Sequence, residues 1–176
     1  VALMKSTTYC DPLVDRSITM GPLVSAAQLG KVAAAVDLAR KEGAQVALGG
    51  KIADRPTGHH YEPTVLVNCS HDMDIMRSET FGPILPIQAI DSLDEGIRYA
   101  NDSEYGLTSS IFTNDLNAAM HACRELKFGE TYVNRDHFEA MQGFHAGRRK
   151  SGIGGADGKH GLYEYMETQV VYLQTK

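Results

Sequence analysis

The segment Ser78-Glu79-Thr80-Phe81-Gly82-Pro83 puts a carboxylate, an aromatic ring and a glycine–proline turn within six positions. Two readings fit. As a turn before a strand, the segment uses Phe81 as a core anchor. As a ligand loop, Glu79 accepts from sugar hydroxyls and Phe81 offers a flat face; a carboxylate accepting from a ribose recurs in nucleotide sites. The residue types alone favour the turn. A second candidate pair is Glu139 and His145, six residues apart. His145 has apolar neighbours, Phe144 and Ala146, in a loop, and few placed polar groups in apolar surroundings make a substrate pocket. The other histidines read as surface groups: His59, His60 and His71 in polar stretches, His121 off its helix's apolar stripe, His137 and His160 around an irregular segment.

Other chemistry is excluded by spacing. In Ser151-Gly152-Ile153-Gly154-Gly155-Ala156-Asp157-Gly158, a G-x-G-x-x-G fingerprint starting at Gly152 needs glycine where Asp157 stands, and a Walker loop fails too. The glycines are better read as allowing unusual backbone angles and close packing. Cys10, Cys69 and Cys123 are odd in number and widely spaced, unlike a zinc site or disulfide framework. They read as free thiols in a reducing, cytoplasmic compartment. None has the base, cation or helix N-terminus that would make a nucleophile: Asp11 disfavours a thiolate at Cys10, Cys69 has no basic neighbour, and Cys123 sits on a helix stripe.

These groups need elements to position them. Ser25 with Gln28 forms a capping box, and Leu29, Val32, Val36 and Ala39 follow at helical spacing until Gly43. Gln45 to Leu48 and Thr64 to Val67 read as strands, Met73 to Ser78 as a short helix, and Ile84 to Ile90 as a strand with Pro86 favouring an edge or bulge. Ser92 with Glu95 caps a second helix whose buried face is Leu93, Ile97 and Ala100. Leu107 to Thr113 is a strand. Asn114 or Asp115 caps a third helix with Leu116, Met120 and Cys123 inward. Glu130 to Asn134 is a strand, Gly143 to Gly161 irregular, and Thr168 to Gln174 a closing strand suited to an edge or another subunit. Alternating strands and amphipathic helices predict an α/β fold with a partly parallel sheet.

The 176 residues suffice for an ordinary domain with its own core. The net charge of -5 argues against nucleic acid, and Arg148-Arg149-Lys150 is the longest basic run. No stretch is long and apolar enough to span a membrane, and no signal peptide or metal-ligand spacing is seen. The opening residue, Val1 rather than Met, is what a fragment or processed product would show.

Glu79-Thr80-Phe81-Gly82-Pro83 resembles the E-T-F-G-P motif of the aldehyde dehydrogenase superfamily. It does not stand alone. Met20-Gly21-Pro22-Leu23, Gly49-Gly50-Lys51, Tyr61-Glu62-Pro63-Thr64, the run Asn101 to Leu107, and Lys150-Ser151-Gly152 follow in that family's order, so the resemblance covers essentially the whole chain. Phe128 to Arg135, Phe138 to Gly147 and Arg149 to Leu162 are most similar to the branch acting on lactaldehyde and glycolaldehyde.

The resemblance implies a three-layer αβα catalytic domain over residues 1–165 and an oligomerisation strand over 166–176, supporting a homo-dimer or tetramer. It implies NAD(P)-dependent oxidation of a small aldehyde to its acid. Glu79 matches the glutamate that holds the nicotinamide ribose, and Phe81 the aromatic near the nicotinamide. Where many relatives carry an aromatic and two glycines beside the substrate tunnel, this chain has His145-Ala146-Gly147. His145 and Glu139 match residues contacting the substrate's polar end. An aliphatic aldehyde would leave such groups without partners, at a cost of roughly 1–3 kcal/mol each. The family's nucleophilic cysteine, general-base glutamate and dinucleotide-binding domain are expected upstream. Cys10 stands where relatives often have glycine and is not that nucleophile. The expectation is thus a C-terminal fragment with no catalytic residue of its own, inactive alone, partnered by the missing cofactor domain. The alternative is a non-catalytic structural or oligomerisation module.

Overall fold

The computed structural model describes residues 1–176, which divide into two compact units, Val1–Ala89 and Ile90–Lys176. The first holds helix α1 (Ala2–Lys5), helix α2 (Ala26–Glu42), strands β1 (Gln45–Leu48) and β2 (Thr64–Val67), helix α3 (Asp74–Arg77) and strand β3 (Ile84–Pro86). Helix α2 starts where its cap predicts: Ser25 Oγ accepts from the Gln28 amide at 3.2 Å. Gly43 ends it with φ 112°, a left-handed angle that glycine takes without steric cost. Val32, Val36 and Ala39 are fully buried and pack with Tyr61, Leu66, Met73 and Ile75, while Leu29 sits at the margin. Fully burying one valine or leucine contributes roughly 1.5–3 kcal/mol, so this stripe seats α2 on the sheet and α3.

In that sheet β2 is central, antiparallel to β1 and parallel to β3. Strand β3 is shorter than the predicted Ile84–Ile90. The regular ladder stops at Pro86, opposite Leu66, although the Ile87 amide still donates to the Leu66 carbonyl at 2.9 Å; Pro86 is tolerated because its missing N–H would face the open edge. Two of the recurrent motifs meet here. The Oγ1 of buried Thr64 accepts from the Gly50 amide at 2.8 Å and donates to the Glu62 carbonyl at 2.7 Å, and Arg40 donates to the Gly50 carbonyl at 2.8 Å.

The second unit holds helix α4 (Leu93–Asn101), strand β4 (Thr108–Ile111), helix α5 (Leu116–Glu125), strand β5 (Glu130–Val133), a 3-10 turn (Arg149–Ser151) and helix α6 (Gly158–Glu164). Strands β4 and β5 pair in parallel, Thr108 opposite Glu130 and Ser110 opposite Tyr132. Ser92 caps α4 by accepting from the Glu95 amide at 3.1 Å, and Glu95 reaches back to the Asp91 amide at 2.8 Å. Asp115 caps α5 by accepting from the Asn117 and Ala118 amides. The inner stripe of α5 differs from expectation: Ala119 and Ala122 are buried, whereas Leu116 is 74% and Met120 49% exposed, and Cys123 is also exposed. Small alanines let α5 approach its neighbours closely; the larger residues face outward within this unit. Helix α6 was not predicted, because Gly158 and Gly161 lie inside it and glycine is a poor helix former. Residues 168–174, read as a strand, pair with nothing in this chain, and Val170 to Leu173 are 68–94% exposed. A strand exists only with a partner to bond to, and this chain supplies none. The mixed α/β architecture with parallel pairing is as expected.

Candidate functional site

Each unit carries one of the predicted residue pairs. In the first unit, Glu79 and Phe81 line a cleft of about 430 Å³ together with Gln28, Lys31, Ala35 and Leu38 of α2. The side-chain amide of Gln28 donates to the carbonyls of Thr80 (2.9 Å) and Phe81 (3.1 Å), tying the loop to the start of α2. Gly82 permits the close approach: a Cβ there would stand 2.6 Å from Val32 Cγ2. Phe81 adopts φ 46° and is 74% exposed. A bulky non-glycine residue in that region is strained. This overturns the reading of Phe81 as a core anchor. The ring and Lys31 both line this cleft.

In the second unit, His145 lines a cleft of about 870 Å³ whose other walls include Leu107, Met141, Gly147, Ile153 and Leu162. Its loop is held by backbone bonds in both directions between His145 and Ala156, at 3.1 and 2.7 Å. Its Nδ1 lies 2.7 Å from Glu130 Oε1 and 3.8 Å from Glu139 Oε1. The sequence thus paired His145 with the more distant carboxylate. Glu130 was missed, although Glu130 and Tyr132, two apart on β5, must share one face of the sheet; that parity was the available signal. The Tyr132 hydroxyl donates to Glu130 Oε2. Behind it, the His137 ring stacks on Tyr132 at 5.1 Å and bridges Thr108 Oγ1 (2.8 Å) and Ser110 Oγ (2.5 Å). His137 is therefore part of the network, not a lone surface group.

The electrostatics follow from this geometry. The hydrogen bond to Glu130 raises the His145 pKa above its ordinary value against the opposing effect of burial, helped by the charges of Glu130, Glu139 and Asp157. Burial pushes the Glu130 carboxyl up, but hydrogen bonds from Tyr132 and His145 and the nearby histidine charges outweigh it, leaving it below the usual carboxylate range. The bond to Glu130, with desolvation, pushes the Tyr132 phenol up to about 12. Glu130, Glu139 and His145 have donor atoms within 4.8 Å of one another. Both Glu130 oxygens are already engaged by protons, from Tyr132 and His145, so the set fits a proton network better than a metal.

A clamp supports this unit. Arg149, at φ 56°, donates to the carbonyls of Asn101 (2.8 Å), Ser103 and Lys127 (2.8 Å). Asn101 bonds the Glu125 carbonyl and the Lys127 amide at 2.8 Å each, and Ser151 Oγ accepts from the Gly106 amide at 2.9 Å. The basic run and the Asn101–Leu107 motif thus hold each other and steady the strand that carries Glu130. As for the cysteines, Cys69 is buried, Cys123 is exposed, and Cys10 Sγ meets only the Asp11 carbonyl, at 3.5 Å.

The chain belongs to the aldehyde dehydrogenase family, whose sequence profile matches residues 1–171. It is 58% identical over 172 residues to the lactaldehyde dehydrogenase of Escherichia coli, covering 98% of this chain and 36% of that protein. The crystal structure of that Escherichia coli enzyme superposes with a TM-score of 0.95 over 99% of this chain and 36% of that one. A 3,6-anhydro-L-galactose dehydrogenase solved in complex with NAP, 45% identical, superposes at 0.90 over 94% of this chain and 35% of that one. The chain therefore spans about a third of the length of these relatives. No helix is long and apolar enough to cross a membrane.

Proposed function

We propose that this chain is the C-terminal catalytic-domain portion of an NAD- or NADP-dependent aldehyde dehydrogenase that oxidises a small hydroxyaldehyde, of the lactaldehyde or glycolaldehyde kind, to its acid. The observation that carries the substrate class is His145 on the cleft wall, anchored through Nδ1 by Glu130 with Glu139 nearby. Its Nε2 makes no bond within the protein and is available to a substrate oxygen. A hydroxyl suits it whether the ring is neutral or charged, because a hydroxyl both donates and accepts. An alkyl chain would cover this half-buried polar group and leave it unpaired.

The nicotinamide group, when bound, takes up the hydride leaving the aldehyde carbon. Glu79 would accept from its ribose hydroxyls, and Phe81, exposed on the same cleft, would pack near the ring. The thiolate nucleophile and the general base come from outside these residues, which hold no cysteine in an activating environment, so the 176-residue chain alone should not turn over aldehyde. The division into a catalytic part, 1–165, and an intersubunit strand, 166–176, belongs to the same proposal, supported by the exposed Val170, Val171, Tyr172 and Leu173. The test is reduced-nicotinamide formation by the full polypeptide with glycolaldehyde and with propanal. Preference for the hydroxyaldehyde, abolished by His145→Phe, is expected. Equal use of both aldehydes, or turnover by the isolated chain, overturns the proposal.

A further inference from the structure

The geometry points to Glu130 as the positioning residue that locks His145 by its Nδ1 and so leaves Nε2 as the group that selects a substrate oxygen. The inference rests on the proposed role of His145 but assigns a different residue, on a different element. Glu130 heads β5, while His145 belongs to the loop beyond Gly143. The two are joined at 2.7 Å, with the Glu130 side chain only 14% exposed and that of His145 29%. Glu139 is a poorer candidate, at 3.8 Å and 43% exposed.

Three features make this a holder and not an incidental contact. Glu130 is itself held, since its second oxygen accepts the Tyr132 hydroxyl. Tyr132 is 9% exposed and backed by the stacked His137 ring, which β4 fixes through Thr108 and Ser110. The His145 backbone is fixed by its two bonds to Ala156, which leaves side-chain torsion as its main freedom. The bond from Nδ1 removes that freedom and also sets the tautomer. A neutral ring then carries its proton on Nδ1 and offers Nε2 as an acceptor; a charged ring offers Nε2–H as a donor. The groups facing the imidazole are Glu130 on β5, Glu139 in its own loop and Asp157 at the start of α6. All are acidic, so they favour the charged ring, and their surplus negative charge repels a carboxylate-bearing substrate. A neutral hydroxyl is the substrate group that fits.

The experiment compares Glu130→Gln, Glu130→Asp and His145→Phe in the full polypeptide, each assayed with glycolaldehyde and propanal, with the His145 titration followed by NMR of histidine-labelled protein. Losing a charge-assisted bond predicts a fall of roughly tenfold to a hundredfold in the glycolaldehyde-to-propanal ratio of kcat/KM for Glu130→Gln, carried by KM. The His145 titration should move to lower pH in the same variant, and Glu130→Asp should restore part of both. If His145→Phe collapses the ratio while Glu130→Gln leaves ratio and titration unchanged, the Glu130 inference is overturned and the role of His145 stands. If His145→Phe leaves the ratio unchanged, the role of His145 fails first. A Glu130→Gln variant that loses turnover of both aldehydes equally, with the His145 titration unmoved, shows a structural role only and also overturns the inference.

Discussion

Replacing Gly129 with alanine should break the selectivity of the second cleft without replacing any residue that lines it. A Cβ at that position would stand 1.6 Å from the Ala146 carbonyl oxygen, 2.8 Å from its carbon and 3.1 Å from the Leu107 carbonyl oxygen. Ordinary carbon–oxygen contacts begin near 3.3 Å, so the Ala146 carbonyl must withdraw by roughly 1.7 Å. The obstacle is backbone on both sides, and Gly129 cannot step aside because its amide is bonded to the Gly106 carbonyl at 3.0 Å. His145 precedes Ala146, and its Nδ1 starts 2.7 Å from Glu130; a shift of that size carries the pair beyond the roughly 3.5 Å limit of a hydrogen bond. Overpacking of this kind costs about 1–3 kcal/mol. The expected result in urea denaturation is a lower midpoint with unchanged slope. In kinetics the glycolaldehyde-to-propanal ratio should fall by about the factor predicted for Glu130→Gln. A Gly129→Ala protein with the original midpoint and ratio would show that the loop and β5 do not meet as closely as argued, and would refute the reasoning.

Four further expectations follow from the same geometry. The His145–Glu130 pair makes stability depend on pH at both ends: the raised histidine contributes fully below its ordinary value of 6.5 and loses that as pH rises through its folded value. The lowered carboxylate contributes fully above its ordinary 4.5 and loses that as pH falls through its folded value, so the difference between the original protein and Glu130→Gln should peak between about 4.5 and 6.5. Arg149→Ala should lower stability by about 1–2 kcal/mol, since three carbonyls lose a charged donor at a partly solvated site; an unchanged denaturation midpoint would contradict the clamp. Phe81→Ala should change stability by less than about 0.5 kcal/mol, as exposed substitutions do, while raising KM for the nicotinamide cofactor; a large stability loss would restore the anchor reading. His60 is 2% exposed and neither ring nitrogen has a hydrogen-bond partner in the protein, so His60→Phe should be neutral or stabilising by up to about 2 kcal/mol in the same denaturation assay.

What the sequence by itself determined was local and periodic. Ser25, Ser92 and Asp115 mark helix starts because their oxygens accept amide protons from the next turn, and Gly43 marks a stop by its backbone freedom; all four are where expected. The order of short motifs along the chain identified the family, and two pairs of those motifs meet in the fold: Gly50 with Thr64, Gly106 with Ser151. Whatever depends on residues distant in the chain was decided only by tertiary structure. The buried side of α5 is set by what packs against it, and Ala119 and Ala122 replaced the larger residues that periodicity selected. Residues 168–174 carry strand-forming side chains, but a strand requires a partner, and none lies within the chain. Glu139 was the nearer candidate for His145 along the sequence, six residues away, yet Glu130, fifteen away, is closer in space. Parallel pairing with β4 fixes which face of β5 carries Glu130, and the two bonds to Ala156 fix where the loop brings its histidine. Chain separation carries no information about either.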